Sequence, residues 1–156
     1  MHNHEPENYE CPFCAIVDGK FGKINSPDDI VLQNKFITAY ISPQWWPNIE
    51  GNVIIIPNKH FENLYDLPNE YGHAIFDAEK AIAIAFKEVY KSDGVSTRQH
   101  NEPAGHQEVW HYHLHVFPRY TNDNLYTNHE KSRYVSVEER KPYADKLKEY
   151  FKNHNI

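Results

Sequence analysis

The sequence contains few cysteines and no long apolar segment. Only two cysteines occur among the 156 residues, too few for a small domain stabilised by disulfides. The apolar run Ala81 to Phe86 is among the longest, whereas a helix that spans a bilayer needs about 20 apolar residues. Residues 1–7 lack the basic start and the apolar centre of a secretory signal. We therefore expect a cytoplasmic protein without a membrane partner.

The sequence also lacks an excess of positive charge. Its 16 Lys and Arg residues are outnumbered by 22 Asp and Glu residues, which gives a formal net charge of -6. No broad basic surface is implied, so long nucleic acid is not an expected partner. The chain is 40% hydrophobic and 14% aromatic, a composition that favours a folded protein. Its length fits a single domain over residues 1–156.

The hydrophobic pattern predicts alternating strands and helices. We expect two short strands joined by a turn over residues 30–41, a buried strand over Val53–Ile56, and a helix that opens near Pro68 and ends near Lys91. Further strands are predicted over 95–99 and 109–117, and a capping box at Ser136 opens a C-terminal helix. Residues 42–52 form a predicted loop, and residues 121–131 have no periodicity and are expected to be mobile. This order favours an α+β fold built on an antiparallel sheet.

The two cysteines form a C-x-x-C motif, Cys11 and Cys14. In a protein without structural disulfides, such a pair is typical of a redox site or of half a metal site. A thioredoxin-like redox site would place the pair between a strand and a long helix. Here it precedes only a short segment that ends at Gly19. Half a zinc site is therefore the favoured interpretation, with the other ligands elsewhere in the chain.

Five of the 11 histidines lie between His100 and His115, and three of these alternate with apolar residues. In a strand, His111, His113 and His115 would share one face, with Tyr112, Leu114 and Val116 on the other. The outer two would be roughly 13 Å apart at their backbones, whereas zinc–ligand bonds are about 2.0–2.3 Å long. The three histidines must therefore have different roles. A surface strand and a metal site that uses two of them remain as alternatives.

The run His111 to Phe117 resembles the signature of the histidine-triad (HIT) family. Other segments are also similar to family patterns: Cys11 to Val17, Gly51 to His60, Gly105 to Val109, and Pro118-Arg119 after the triad. The resemblance covers about residues 10–120. Residues 121–156 form a C-terminal extension on which it says little.

The resemblance implies a fold and a reaction. The expected fold is an antiparallel sheet with one long helix and a C-terminal helix, and the expected assembly is a homodimer that extends the sheet. The implied reaction is hydrolysis or transfer at the α-phosphate of a nucleotide conjugate. His113 would be the nucleophile, forming a nucleotidyl-histidine, and His115 would bind phosphate oxygens or assist the leaving group. Asn101 and Gln107 are implied substrate contacts, although loop residues of this kind equally well satisfy backbone groups.

The resemblance also implies a zinc site. In zinc-containing members, the two N-terminal cysteines, the histidine after the third strand and the first triad histidine hold the metal. Here these residues are Cys11, Cys14, His60 and His111. Two cysteines and two histidines complete a tetrahedral set without an open position, which is typical of structural Zn²⁺.

The sequence departs from the family pattern near the expected nucleotide site. Tyr40 stands where members usually have an aspartate that accepts both ribose hydroxyls, and a phenol makes a weaker contact. The loop between Pro43 and Gly51 contains Trp45 and Trp46, which either pack locally or stack on a base. Tyr40 and Trp45 are therefore candidate substrate contacts, with Trp45 as the residue expected to stack on a base.

Two other functions fit the same residues. One is a zinc-stabilised nucleotide-binding or signalling module with little turnover. The other is a metal-dependent hydrolase in which an H-x-H pair holds a catalytic ion. Removal of metal would abolish the chemistry of the metal-dependent hydrolase, whereas a histidine nucleophile would keep its reactivity.

Overall fold

The computed structural model describes residues 2–154, apart from the side chain of His129. Five strands form one antiparallel sheet, and two short strands form a separate pair. The strands are β1 (Ile30–Gln33), β2 (Ile37–Ile41), β3 (Gln44–Trp45), β4 (Val53–Pro57), β5 (Gly94–Gln99), β6 (Leu114–Arg119) and β7 (Arg133–Tyr134). The helices are α1 (Pro12–Val17), α2 (Asn69–Ala85) and α3 (Val137–His154). The large sheet has the order β1-β2-β4-β6-β5, and β3 pairs with β7.

The two faces of the large sheet have different coverings. Helices α2 and α3 pack on one face, where Ala39, Ile55 and Val116 belong to the main core. The opposite face carries a smaller cluster in which Phe13 and Ile16 of α1 meet Tyr40, Ile54 and Ile56. Every residue of β2 and β4 is buried, as expected for central strands covered on both faces. The α+β prediction is confirmed.

Helix α2 begins where the sequence predicts a helix, and it buries one apolar stripe. Its buried residues recur at three- and four-residue steps and face the sheet: Ile75, Ala78, Ala81, Ile82 and Ala85. The helix continues as a π-helical turn over Phe86–Tyr90 and ends where Lys91 adopts a left-handed conformation with φ of 57°. The predicted end near Lys91 is confirmed. No helix within residues 2–154 is both long and apolar enough to cross a bilayer.

The C-terminal extension is more ordered than its sequence predicts. Asp123 and Leu125 are buried within the segment expected to be mobile. The carboxylate of Asp123 accepts two hydrogen bonds from Arg119, at 2.6 and 2.7 Å, and Leu125 packs against Trp46 and Phe117. The predicted loop 42–52 likewise contains β3, which pairs with β7. Long-range pairing therefore orders two segments that have no local periodicity.

A buried ion pair attaches α3 to the start of β1. The Arg140 guanidinium donates to both oxygens of Asp29 at 2.8 Å, and the side chains of both residues are almost fully buried. Its other N–H groups donate to the carbonyls of Val135 and Ile24. The expected capping box is also present at the start of α3, between Ser136 and Glu139. These contacts fix the helix that covers one face of the sheet.

We expect Arg140→Met to lower the free energy of unfolding by about 3–5 kcal/mol, because the Asp29 carboxylate would stay buried without its cation. Urea denaturation at neutral pH measures this change. The control Lys141→Met breaks an exposed pair with Asp145 and should cause no measurable change. Equal stability of the two variants would show that the buried pair does not stabilise the fold.

Candidate active site and metal centre

Three histidines lie at the start of β6: His111 and His113 just before the strand, and His115 within it. Strand β6 begins at Leu114, so only His115 belongs to it, and His111 lies in a bend. The predicted strand start at Val109 is therefore wrong. The reason is that β5 ends at Gln99, opposite Leu114, so that earlier residues have no neighbouring strand on that side. The predicted alternation still holds, since Tyr112, Leu114 and Val116 all lie in the main core.

His111 belongs to a cluster of four potential metal ligands. One ligand atom from each of Cys11, Cys14, His60 and His111 lies within 4.8 Å of all the others. The Nδ1 atom of His111 is 3.2 Å from Sγ of Cys11 and 3.5 Å from Sγ of Cys14. The Nδ1 atom of His60 is 3.3 Å from the same Cys14 sulfur. The fold thus brings two distant histidines to the C-x-x-C motif.

The surroundings of this cluster orient both histidines for metal binding. Nε2 of His111 lies 3.0 Å from the carbonyl oxygen of Pro57, and Nε2 of His60 lies 2.9 Å from a carboxylate oxygen of Glu5. Because these oxygens accept hydrogen bonds, the Nε2 atoms carry the protons and the Nδ1 electron pairs face the sulfurs. Burial and the neighbouring Cys11 raise the pKa of Cys14 to about 12. A cation would offset that cost, so the donor set fits zinc.

His113 has a fixed tautomer. Its Nδ1 lies 2.8 Å from the backbone carbonyl of His111, and a carbonyl oxygen can only accept a hydrogen bond. Nδ1 therefore carries the proton, and Nε2 keeps its electron pair. The ring is buried at 7% exposure, with the ring of Phe13 at 5.1 Å in an edge contact. Burial lowers the pKa of His113, which also favours the neutral, nucleophilic form.

His115 is the next histidine along the same face. Its ring centroid is 5.2 Å from that of His113, and it stacks on Phe117 at 5.7 Å with an angle of 11°. Its Nδ1 is buried and has no hydrogen-bond partner among the described residues. Burial, together with His113 and Arg98, holds the pKa of His115 well below its usual value. The imidazole is therefore neutral at physiological pH.

A cavity of about 530 Å³ opens beside His113 and His115. One end is apolar and is lined by the cluster that contains Phe13, Ile16, Tyr40 and Ile54. The other end contains Trp46 and Arg98, with polar groups from the C-terminal extension such as Ser132. The two histidines lie between these ends, because His113 contacts Phe13 and His115 is paired across the sheet with Arg98.

The comparisons with known proteins agree with this geometry. The HIT domain family matches residues 23–122. The chain is 31% identical to the protein hit of Bacillus subtilis over 117 residues, which cover 75% of this chain and 74% of the relative. The chain belongs to the HIT family.

Further relatives of this HIT chain extend the comparison. An adenosine 5'-monophosphoramidase of Saccharomyces cerevisiae is 33% identical over 70% of the chain and 62% of the relative. A zinc-bound histidine triad protein from Mycobacterium smegmatis superimposes with a TM-score of 0.75 at 25% identity, covering 94% and 96% of the two chains. The family thus includes named enzymes, as the sequence predicts for this chain.

Among the predicted substrate contacts, the structure brings Tyr40 but not Trp45 to the cavity. Tyr40 is buried in its apolar wall. Trp45 lies in the main core instead, with its ring 5.1 Å from that of Tyr143. Because side chains alternate along β3 and beyond it, Trp46 points the other way and lines the cavity. The structure therefore places Trp46 at the cavity where the sequence analysis favoured Trp45, and a stacking contact with a base stays a prediction.

Asn101 and Gln107 hold the loop beside the cavity, and neither lines it. The Asn101 side chain accepts from the backbone N–H of Leu64. The buried Gln107 amide accepts from the N–H of Glu102 and donates to the carbonyl of Glu62. These contacts correspond to the alternative that both residues satisfy backbone groups. A substrate contact by Asn101 or Gln107 stays a prediction.

Two features of this HIT site are not predicted by the sequence. Arg98 lines the cavity but stands outside the resemblance motifs, and Glu108 lines it from the segment Gly105 to Val109 without an assigned role. Glu5, from the polar N-terminal segment, contacts His60. His100 and His106 also line the cavity. A search for charged residues opposite the triad in the neighbouring strand could have found Arg98.

The neutral state of His115 predicts a pH dependence of stability. The pKa of His115 in the folded state lies below its unfolded value near 6.5. Below pH 6.5, His115 is therefore protonated in the unfolded chain while it is still neutral in the folded chain. Stability is therefore lost as the pH falls. Relative to His115→Gln, the wild type should lose up to about 1.4 kcal/mol of unfolding free energy per pH unit below 6.5.

Urea denaturation at pH 7.5 and 5.5 measures this difference. The control His73→Gln alters an exposed residue of α2 and should leave the pH dependence that comes from His115 in place. A His115→Gln slope equal to that of the wild type would contradict the burial of a neutral imidazole.

Proposed function

We propose that this protein is a hydrolase or transferase that acts at the α-phosphate of a nucleotide conjugate through a nucleotidyl-histidine intermediate on His113. The observation that carries this proposal is the hydrogen bond between Nδ1 of His113 and the carbonyl of His111. It holds the proton on Nδ1 and leaves the Nε2 electron pair for attack. Membership in a family with named nucleotide hydrolases supports the same reaction class.

The proposed reaction has two steps. In the first, Nε2 of His113 forms a bond to phosphorus while the bond from phosphorus to the leaving group breaks and its electron pair departs with that group. In the second, water attacks phosphorus, the N–P bond breaks and its electron pair returns to Nε2, with a proton released to solvent. If an alcohol attacks phosphorus in place of water, the nucleotidyl group is transferred to the alcohol and the protein acts as a transferase. His115, beside His113, can donate a hydrogen bond to a phosphate oxygen in both steps.

The apolar end of the cavity fits the nucleoside. Phe13, Ile16 and Ile54 offer a surface on which a base can pack. Tyr40 adds a phenol whose pKa is raised by burial, so it stays protonated and able to donate one hydrogen bond. We assign this hydrogen bond to the ribose, where Tyr40 would replace a carboxylate.

Replacement of His113 by Ala should lower turnover of a nucleoside phosphoramidate by at least about a thousandfold, because the nucleophile is removed. Mass spectrometry of the wild type, quenched during turnover, should find an acid-labile nucleotidyl group on the peptide that contains His113. The control His73→Ala should keep both the activity and the adduct. An adduct on His100 or His106 would contradict this assignment, and turnover without any adduct would contradict the intermediate.

We propose further that Cys11, Cys14, His60 and His111 bind one structural Zn²⁺. All four ligands come from the protein, so no position remains open for substrate or water. The ion would join the N-terminal segment to the segment that precedes His113. The same argument speaks against a metal-dependent hydrolase built on these residues.

The purified protein should contain about one zinc per chain, and Cys14→Ser should lower both the zinc content and the melting temperature. Structural zinc contributes several kcal/mol to folding. Glu5→Gln keeps all four ligands but weakens the hydrogen bond to His60, so zinc affinity measured against a chelator should fall about 10- to 100-fold. The control Glu7→Gln should bind zinc as the wild type does. Loss of all zinc with an unchanged melting temperature would contradict a structural role.

Homodimerisation and a cytoplasmic location stay predictions. We propose the homodimer because β1 and β5 form the edges of the sheet and because α2 exposes Phe76 and Ile84. An exposed strand edge and exposed apolar side chains are both features that a second copy of the chain can cover.

A further inference from the structure

Arg98 lies at the polar end of the cavity, opposite His115 in the register of β5 and β6. Its guanidinium carbon is 5.2 Å from the ring centroid of Trp46 and 5.1 Å from that of Phe117. The same Phe117 ring stacks on His115. Two aromatic rings therefore hold the guanidinium near His115, at the end of the row of three histidines that is away from His111.

Arg98 differs from the other arginines because no carboxylate pairs with it in the described part of the chain. Arg119, Arg133 and Arg140 each pair with an aspartate or a glutamate. Among the described residues, no carboxylate oxygen lies within 4.0 Å of the Arg98 guanidinium, although Glu108 and Glu130 also line the cavity.

The Nε atom of Arg98 is buried and has no hydrogen-bond partner in the described part of the chain. Partial burial also lowers the pKa of Arg98, as expected for a cation removed from water without a counterion. A half-buried guanidinium with a free N–H fork is a site for an anion, and phosphate matches that fork in geometry and charge.

The position of Arg98 indicates which phosphate it would bind. The nucleoside occupies the apolar end in the proposed function, and His113 attacks between the two ends. With the nucleoside at the apolar end, the end of the cavity that contains Trp46 and Arg98 is left for the part of the substrate beyond the reacting phosphorus. In that arrangement the group that reaches Arg98 would be the leaving group.

We propose that Arg98 determines specificity by binding a phosphate of the leaving group, so that the site prefers nucleotide conjugates with an anionic leaving group over those with an amine. This inference rests on the proposed function of the same site. The chemistry supports the preference. A departing phosphate accepts the electron pair of the broken P–O bond as an anion stabilised by Arg98, whereas an amine needs a proton as the P–N bond breaks.

The test compares two substrates in two variants. Arg98→Met keeps an unbranched apolar stem between Trp46 and Phe117 but removes the charge, and Arg98→Lys keeps the charge but removes the fork. For a dinucleoside polyphosphate, kcat/KM should fall about 10- to 100-fold in Arg98→Met, the loss expected for a charge-assisted contact, with partial rescue in Arg98→Lys. For a nucleoside phosphoramidate with an amine leaving group, the change should stay below about threefold. The control Arg133→Met, which removes an exposed guanidinium, should change neither.

Binding of inorganic tripolyphosphate, measured by calorimetry, separates this inference from the proposed function because it needs no turnover. We expect the wild type to bind it at least tenfold more tightly than Arg98→Met. If neither substrate is turned over but this difference is present, the proposed function fails and the anion site stands. Equal binding by both proteins, or an equal loss of kcat/KM for both substrates in Arg98→Met, would overturn the inference.

Discussion

The site depends on one hydrogen bond, from Nδ1 of His113 to the backbone carbonyl of His111. This contact selects the tautomer in which Nε2 of His113 has a free electron pair. The carbonyl belongs to a residue whose own ring is fixed by Pro57 on one side and faces two cysteine sulfurs on the other. The cluster of potential metal ligands therefore orients the proposed nucleophile through two residues of backbone, without contacting the cavity.

Side chains that alternate along β6 and the residues before it place core residues on one face of the sheet and the site histidines on the other. From Tyr112 onward, every second residue enters the apolar core between the sheet and helices α2 and α3, and the residues between them face the opposite side. A slip of one residue in the pairing of β6 would place histidines in the core and leucine in the cavity. The register with β4 and β5 is thus a condition both for folding and for the site.

Two arginines show that the same kind of side chain can stabilise the fold or line the cavity. Arg140 is fully buried and has its charge and its N–H groups satisfied by Asp29 and backbone carbonyls. Arg98 is partly buried between aromatic rings with its fork unused. Burial of a guanidinium is costly in both cases. The lack of an anionic partner for Arg98 among residues 2–154 points to a ligand, whereas the full set of partners at Arg140 indicates a structural role.

The sequence alone determined the elements and the chemistry of the donor groups. The apolar stripe of α2, the continuous apolar run of β4 and the alternation after Tyr112 are local patterns, so they predict helix, strand and face correctly. The motifs around Cys11, His60 and His111 likewise identify the potential metal ligands, because their residue types carry the information. Only the tertiary structure decided which tryptophan enters the cavity, that Asn101 and Gln107 bind backbone groups, and that Arg98 lies opposite His115. These features depend on strand register and on contacts between residues far apart in the chain, and no local pattern encodes such contacts.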